Sequence, residues 1–385
     1  MPKVTTAVSM PRPFKVAVPD AVLERIAARL GLSEVGYAPR DDEPWRHGTS
    51  APYLAELLDH WRTRFDWRRA EERLNAFPQF KAQVEDIEVH FYHVRGSGPA
   101  GRAIILTHGW PGSVVEFLRV IDRLAHPERF GGRAEDGFDI VVPSLPGYGF
   151  SSRPAAPIGP RRVATLWRRL MVDVLGYPHF FAQGGDWGAA VTSWLGSDHP
   201  DVVSAIHVNL LVGALDGDDS LETREWQAKL NAVRALESGY AQEQATRPQT
   251  IGLALADSPL GFAAWVVEKF QRWGDTHGDI ESRFDKDLLL TNIMIYLVND
   301  AVTSAMWMYY GADQEAARYT RRVDVPCAVA LFPAEFLPIP PRSTVERLVN
   351  LQRWTEMPAG GHFAALEEPE DFANDVRAFF APLDL

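Results

Sequence analysis

The sequence predicts an α/β protein with a mostly parallel central sheet and an inserted helical cap. Short apolar runs alternate with helical patterns, which is typical of parallel strands joined by crossover helices; the runs lie at 103–107, 138–143, 180–184, 205–210 and 325–331. One run ends in Gly184 and Gly185, directly before an Ala/Val-rich helical pattern. A helix-rich, aromatic stretch at 212–311 interrupts the alternation, and we expect it to cover the site as a cap.

Four parts follow from this pattern. Residues 1–95 form an N-terminal meander region, residues 96–211 and 312–385 form the two halves of the core, and residues 212–311 form the cap. Further elements are predicted as helices from about 20 to 30, 50 to 65, 67 to 74, 114 to 124, 163 to 175 and 369 to 380, and as strands at 87–94 and 352–357.

Composition excludes several classes of protein. The chain has 385 residues, of which 46% are hydrophobic and 23% charged, as in ordinary globular proteins. The net charge of −12 argues against a nucleic acid or an anionic membrane as the partner. Cys327 is the single cysteine, which excludes an intrachain disulfide and a cysteine metal cluster. Because we find neither a signal peptide nor a transmembrane run, we expect a cytoplasmic protein.

The turn around Asp186 is the candidate catalytic motif. Gly184 and Gly188 flank it with the spacing of a nucleophile elbow, the sharp strand-to-helix turn of the α/β-hydrolase fold. Aspartate occupies the tip, where serine is usual. A serine that attacked a saturated carbon would end as an ether, whereas a carboxylate ends as an ester that water can cleave. The residue therefore predicts attack on an alkyl electrophile, such as an epoxide or an alkyl halide.

The remaining catalytic groups are expected in the chain order nucleophile, acid, histidine. His362 follows two glycines near the C-terminus and is the candidate base, and Glu335 follows the strand at 325–331 and is the candidate acid. The backbone amides of Trp110 and Trp187 are the candidate oxyanion donors. His108 is assigned a loop-shaping role, and Pro111 is expected to hold its loop through a cis peptide bond.

Opening an epoxide also requires a proton donor for the leaving oxygen, and a tyrosine hydroxyl is suitable because it stays protonated at neutral pH. The cap offers four tyrosines, and the residues alone do not choose among them: Tyr240, Tyr296, Tyr309 and Tyr310.

These motifs together resemble the microsomal-type epoxide hydrolases, along nearly the whole chain. The matching segments are His90–Arg95, His108–Ser113, Gly185–Gly188, Arg247–Thr250, Glu268–Phe270 and Gly360–Phe363. The resemblance implies that Asp186 is the nucleophile, His362 the base and Glu335 the orienting acid. It also implies that Tyr240 and Tyr309 hold the epoxide oxygen. Relatives often have arginine two residues before the second tyrosine; Trp307 stands there instead, so Tyr310 remains an alternative.

The resemblance further implies a substrate pocket that includes Trp110, Pro111, Phe150 and Trp187. The expected partner is a small apolar epoxide, with no cofactor, metal, nucleic acid or membrane, and a homodimer is a further expectation. Mammalian members have an N-terminal membrane anchor, which we expect to be absent here. Two alternatives stay open: a haloalkane dehalogenase, in which Trp187 would hold halide, and a catalytically silent protein that binds an apolar ligand.

Overall fold

The structure is a computed structural model that describes residues 9–37, 39, 43–211, 217–315 and 322–383. The described strands are β1 (Arg12–Phe14), β2 (Gln79–Val84), β3 (Ile87–Val94), β4 (Ala103–Thr107), β5 (Asp139–Pro143), β6 (Phe180–Gly184), β7 (Val203–Val208), β8 (Val323–Leu331) and β9 (Val349–Glu356). They form one sheet in the order β1-β2-β3-β5-β4-β6-β7-β8-β9. Strands β4 to β9 pair in parallel, and β1 to β3 add antiparallel pairs at one edge. The predicted mostly parallel sheet is confirmed.

Both faces of the sheet are covered, which explains the unbroken apolar runs in its strands. In β4, Ala103 and Ile105 belong to the hydrophobic cluster on one face, and Ile104 and Leu106 belong to the cluster on the other. All four are fully buried, so no position of this strand tolerates a charge without a partner.

The N-terminal region extends the core sheet. Strands β1 and β2, which the sequence analysis did not predict, pair with each other; β2 also pairs with β3, and β3 pairs with β5. Three helices complete the region: α1 (Asp20–Leu32), α2 (Ala51–Thr63) and α3 (Trp67–Leu74). The starts of α2 and α3 follow from capping chemistry, because Ser50 accepts a hydrogen bond from the Tyr53 amide and Asp66 accepts one from the Arg68 amide. These helices pack against the cap as well as against each other.

The core helices differ from the prediction in two places. The segment predicted as one helix at 114–124 is a 3₁₀ turn (Val114–Phe117) followed by α4 (Ile121–Ala125). The segment predicted at 163–175 is α5 (Pro160–Arg169) continued by a π-helical turn (Leu170–Val174). The other core helices are α6 (Trp187–Asp198), α13 (Arg342–Leu348), α14 (Ala364–Glu367) and α15 (Pro369–Phe380).

The cap consists of helices, as predicted. They are α7 (Leu221–Glu237), α8 (Gly239–Thr246), α9 (Pro248–Asp257), α10 (Pro259–Trp273), α11 (Lys286–Val298) and α12 (Val302–Gln314). The predicted end of the cap at 311 is wrong, because it falls inside α12; the start at 212 lies outside the described residues. In the described chain no single helix is long and apolar enough to cross a membrane. Two pairs of consecutive helices, α9 with α10 and α11 with α12, reach the required length and hydropathy only when the two helices of a pair are counted together, and both pairs are sharply bent.

Candidate active site

Asp186 occupies a strained turn between β6 and α6. Its backbone has φ 48° and ψ −128°, a conformation that residues other than glycine rarely adopt. The glycines beside it are required by close backbone contacts. A Cβ on Gly184 would lie 2.1 Å from the Gly188 carbonyl oxygen, and a Cβ on Gly188 would lie 1.8 Å from the Thr107 carbonyl oxygen. The turn therefore has the geometry of a nucleophile elbow and presents the Asp186 carboxylate above the sheet.

His362 connects Asp186 to Glu335. Its Nε2 lies 3.2 Å from Asp186 Oδ2, and its Nδ1 lies 2.9 Å from Glu335 Oε2. The His362 side chain is 2% exposed and that of Glu335 is 6% exposed. Although burial alone would lower the pKa of His362, the Glu335 and Asp186 carboxylates raise it well above its usual range. The structure thus brings together the three residues selected from chain order.

Two further acids, Glu367 and Asp275, hold the loop that carries His362. The Gly361 and Phe363 amides donate to the two carboxylate oxygens of Glu367, at 3.0 and 2.9 Å. The Gly360 amide donates to Asp275 Oδ2 at 3.0 Å. The sequence analysis did not assign these two acids, and their only local signal is the proximity of Glu367 to the histidine in the chain.

The Trp110 amide donates to Asp186 Oδ1 at 2.9 Å. It therefore lies where a negative charge would develop on that oxygen during ester hydrolysis. Trp187, the second expected donor, is the first residue of α6, and the first-turn amides of a helix lack intrahelical partners. Its role as an oxyanion donor stays a prediction.

The loop bearing Trp110 is held on several sides. His108 Nδ1 lies 2.9 Å from the Gly109 carbonyl oxygen, and its Nε2 accepts a hydrogen bond from the Leu145 amide. Burial lowers the pKa of His108 to about 4, so the ring is neutral and shapes the loop, as predicted. Tyr296 donates its hydroxyl to the Gly112 carbonyl, which assigns this cap tyrosine to loop support. The Trp110–Pro111 bond is cis, as expected.

Tyr240 and Tyr309 face the elbow from the cap. The Tyr309 ring packs edge-on against Trp187 and Trp110, with centroid distances of 4.8 and 5.8 Å, and the Tyr240 ring stacks on Trp110 at 5.1 Å. The two tyrosine rings also pack edge-on against each other, with a centroid distance of 5.8 Å. Tyr309 is 7% exposed, whereas Tyr310 is 37% exposed on the outer side of α12. Of the two alternatives, Tyr309 is therefore the one placed in the site.

A cavity of about 550 Å³ opens beside these groups. Its wall includes catalytic candidates, apolar side chains and a few polar residues towards α7 and α12; among them are Asp186, Trp187, Leu210, Arg234, Tyr240, Ala245, Tyr309, Asp313 and Phe336. Trp110 borders the site through the ring stacked on Tyr240. The described wall does not include Pro111, whose carbonyl instead accepts a hydrogen bond from Asn292 at 2.7 Å.

The prediction that Phe150 lines the pocket is wrong. Its ring packs against Phe14 and His90 of the N-terminal strands, with centroid distances of 5.6 and 5.2 Å. The loop after β5 folds back onto β3, because the Ser151 and Ser152 hydroxyls accept hydrogen bonds from β3 amides. This return carries Phe150 away from Asp186.

Sulfur and metal chemistry receive no support from the described residues. Cys327 is fully buried in β8, and burial raises the pKa of its thiol to about 12. Within the described ranges, no group of three or more His, Cys, Asp or Glu side chains is arranged to hold a metal ion. Among the described residues, the candidate reactive groups of the site are therefore Asp186, His362, Glu335 and the two tyrosines.

Fold and site together define a member of the α/β-hydrolase class with aspartate at the nucleophile position. Comparison with known proteins agrees: a family model described as epoxide hydrolase N terminus matches residues 11–117, and one described as alpha/beta hydrolase fold matches residues 102–254.

Individual relatives extend this match over the chain. A putative epoxide hydrolase of Stigmatella aurantiaca is 42% identical over 96% of this chain and 85% of its own length. Epoxide hydrolase 1 of Oryctolagus cuniculus is 34% identical over 96% of this chain and 88% of its own length. The structure of Aspergillus niger epoxide hydrolase aligns with a TM-score of 0.84 and 31% identity, over 100% of this chain and 98% of that one. The chain belongs to the epoxide hydrolase family.

Proposed function

We propose that this protein converts an apolar epoxide and water to a vicinal diol through an ester on Asp186. The observation that carries the proposal is the position of the Asp186 carboxylate, between the His362 imidazole on one side and the Tyr240 and Tyr309 hydroxyls on the other. Membership in the epoxide hydrolase family supports the reaction class. A carboxylate nucleophile and two hydroxyl donors are the groups that ring opening requires.

In the first step the epoxide oxygen accepts hydrogen bonds from Tyr240 and Tyr309. Burial raises the pKa of both phenols above their ordinary value, so both are protonated donors at neutral pH. An Asp186 oxygen forms a bond to a ring carbon while the bond from that carbon to the ring oxygen breaks. The departing alkoxide takes a proton from a tyrosine, and an alkyl ester of Asp186 results.

In the second step His362 becomes the base. Esterification removes the negative charge of Asp186, one of the groups that raise the pKa of His362, so this pKa falls and the imidazolium gives up its proton, which restores the tyrosine hydroxyl. Neutral His362 then takes a proton from water, whose oxygen attacks the ester carbonyl. The Trp110 amide stabilises the resulting oxyanion. The bond between the carbonyl carbon and the alkyl oxygen breaks, the alkyl oxygen takes the remaining proton of the attacking water, and the diol leaves as Asp186 regains its negative charge.

The cavity indicates the size and polarity of the substrate. A volume of about 550 Å³ lies within the range of pockets for drug-sized ligands, and apolar atoms contribute most of its exposed wall. An epoxide bearing an aromatic ring or a long apolar chain would fill this space better than a two- or three-carbon epoxide. Because most of this wall is apolar, the natural substrate is expected to be apolar beyond its epoxide ring.

A single turnover with styrene oxide in ¹⁸O-labelled water tests the proposal. Mass spectrometry is expected to find label in Asp186, while the new diol oxygen of the first turnover comes from the protein and is unlabelled. Label that enters the diol directly would make Asp186 a base instead of a nucleophile. If no diol forms with any aryl or alkyl epoxide, halide release from chloroalkanes decides the case for the dehalogenase.

A further inference from the structure

Asp186 borders a second, much smaller cavity on the core side of the elbow. This core-side cavity leaves about 10 Å³ for the centre of a water molecule, which is room for about one water. Asp186 borders both cavities, whereas His362 borders the core-side one. In the reaction proposed above, the alkyl group of the ester would fill the large cavity, so the hydrolytic water has to reach the ester from elsewhere.

The core-side cavity is polar where it meets the catalytic groups. Apolar residues form part of its wall, and two polar residues without a role in the reaction so far, Glu116 and Asn209, join Asp186 and His362. Apolar cavities of this size stay empty, whereas a bound water needs two to four polar partners. The four groups supply that number.

Neighbouring contacts orient both additional residues. Glu116 lies on the 3₁₀ turn after the Trp110 loop, and Gly109 of that loop borders the same cavity. Gly112 leaves room for its carboxyl, since a Cβ there would lie 1.6 Å from Glu116 Oε1. Asn209 Oδ1 accepts a hydrogen bond from Gln183 at 2.9 Å, which turns the amide nitrogen towards Gly185.

We propose that Glu116 and Asn209 bind the water that attacks the Asp186 ester, within reach of His362. The water donates one proton to His362 Nε2 as its oxygen bonds to the ester carbonyl carbon of Asp186. The bond between that carbon and the alkyl oxygen then breaks, and the second proton of the water passes to the alkyl oxygen. Burial and the Asp186 charge raise the pKa of Glu116 to about 8. A neutral carboxyl both donates and accepts, so it holds water without adding a second negative charge beside the nucleophile.

This inference rests on the proposed function, and rapid-quench kinetics with intact-protein mass spectrometry separates the two. With styrene oxide, Glu116→Ala is expected to leave the rate of ester formation unchanged and to slow ester hydrolysis by about 100-fold, the scale of a misplaced reactant. The ester then accumulates as an adduct of the substrate's mass. Glu116→Gln keeps a donor and an acceptor and is expected to retain most of the hydrolysis rate.

Val115→Ala is the matched control. Val115 lies on the same turn but borders a different cavity, of about 280 Å³, so its truncation removes packing and leaves the water-binding groups in place. Equal slowing of ester formation and hydrolysis in Glu116→Ala, or the same adduct in Val115→Ala, would show that Glu116 only packs the loop. Absence of any adduct and any diol in the unmodified protein would overturn the proposed function itself.

Discussion

Replacing Tyr309 by phenylalanine removes one hydroxyl and leaves the rest of the site in place. The ring stays wedged between Trp187, Trp110 and Tyr240, because its three aromatic contacts do not involve the oxygen. In the proposed reaction the lost group donates to the oxygen that becomes negative as the epoxide opens. The variant therefore isolates transition-state stabilisation from packing.

The expected loss of rate in Tyr309→Phe follows from the surroundings of the hydroxyl. Tyr309 is 7% exposed and lies in an aromatic wall, so water cannot easily replace its hydrogen bond to the alkoxide. Removing one such donor typically slows the chemical step by about 10²–10³-fold, equivalent to about 3–4 kcal/mol. Since the Tyr240 and Tyr309 rings are in contact and both hydroxyls would bind the same epoxide oxygen, the double variant is expected to lose less than the sum of the two single losses.

The assay measures the single-turnover rate of ester formation. The fluorescence of Trp110 and Trp187, which lie beside Asp186, is the signal that monitors the reaction. Tyr310→Phe, one position along the same helix, is the control and is expected to react at the original rate because its side chain is exposed. If Tyr309→Phe forms the ester at an undiminished rate, or if Tyr310→Phe is slowed equally, the assignment of Tyr309 as the proton donor is wrong.

Three further outcomes are expected. His362→Gln should form the ester and fail to hydrolyse it, leaving a stable adduct by mass spectrometry. Although burial alone would raise the pKa of Asp375, His207 and other partners lower it to about 2. Asp375 thus adds about 2 kcal/mol that is present above pH ~4 and lost as the pH falls through 2; Asp375→Asn should show this loss already at pH 7 in urea unfolding. Gly188→Ala should unfold or inactivate the protein, because its Cβ meets the Thr107 carbonyl at 1.8 Å, and unchanged activity and melting temperature would contradict the elbow geometry.

Local patterns were sufficient to select the three candidate catalytic residues that the structure brings together. The elbow is a contiguous motif whose glycines and aspartate are tied to one backbone geometry, so it can be identified without knowing what packs above it. His362 and Glu335 follow from chain order, because the loops after parallel strands meet at the same edge of the sheet. Each of these assignments depends on topology more than on side-chain packing.

Tertiary packing decided the rest. Successive residues on a helix point about 100° apart, so only the rotation of α12 against the core determines that Tyr309 faces Asp186 and Tyr310 faces outward. Phe150 was misplaced because the return of its loop depends on hydrogen bonds to a strand far earlier in the chain. Strand β1 also escaped prediction, since three residues at a sheet edge carry little periodicity of their own.

The sequence by itself determined the α/β class and the Asp186, Glu335 and His362 set, since each is written into a short segment or into the order of segments. Only the folded chain brought Glu116 and Asn209 to the core side of the nucleophile, from positions 93 residues apart. No spacing rule relates a residue on a 3₁₀ turn to one after a strand on the other side of the elbow. Their common environment is a consequence of how the sheet and its loops pack, and packing is a property of all the contacting residues together.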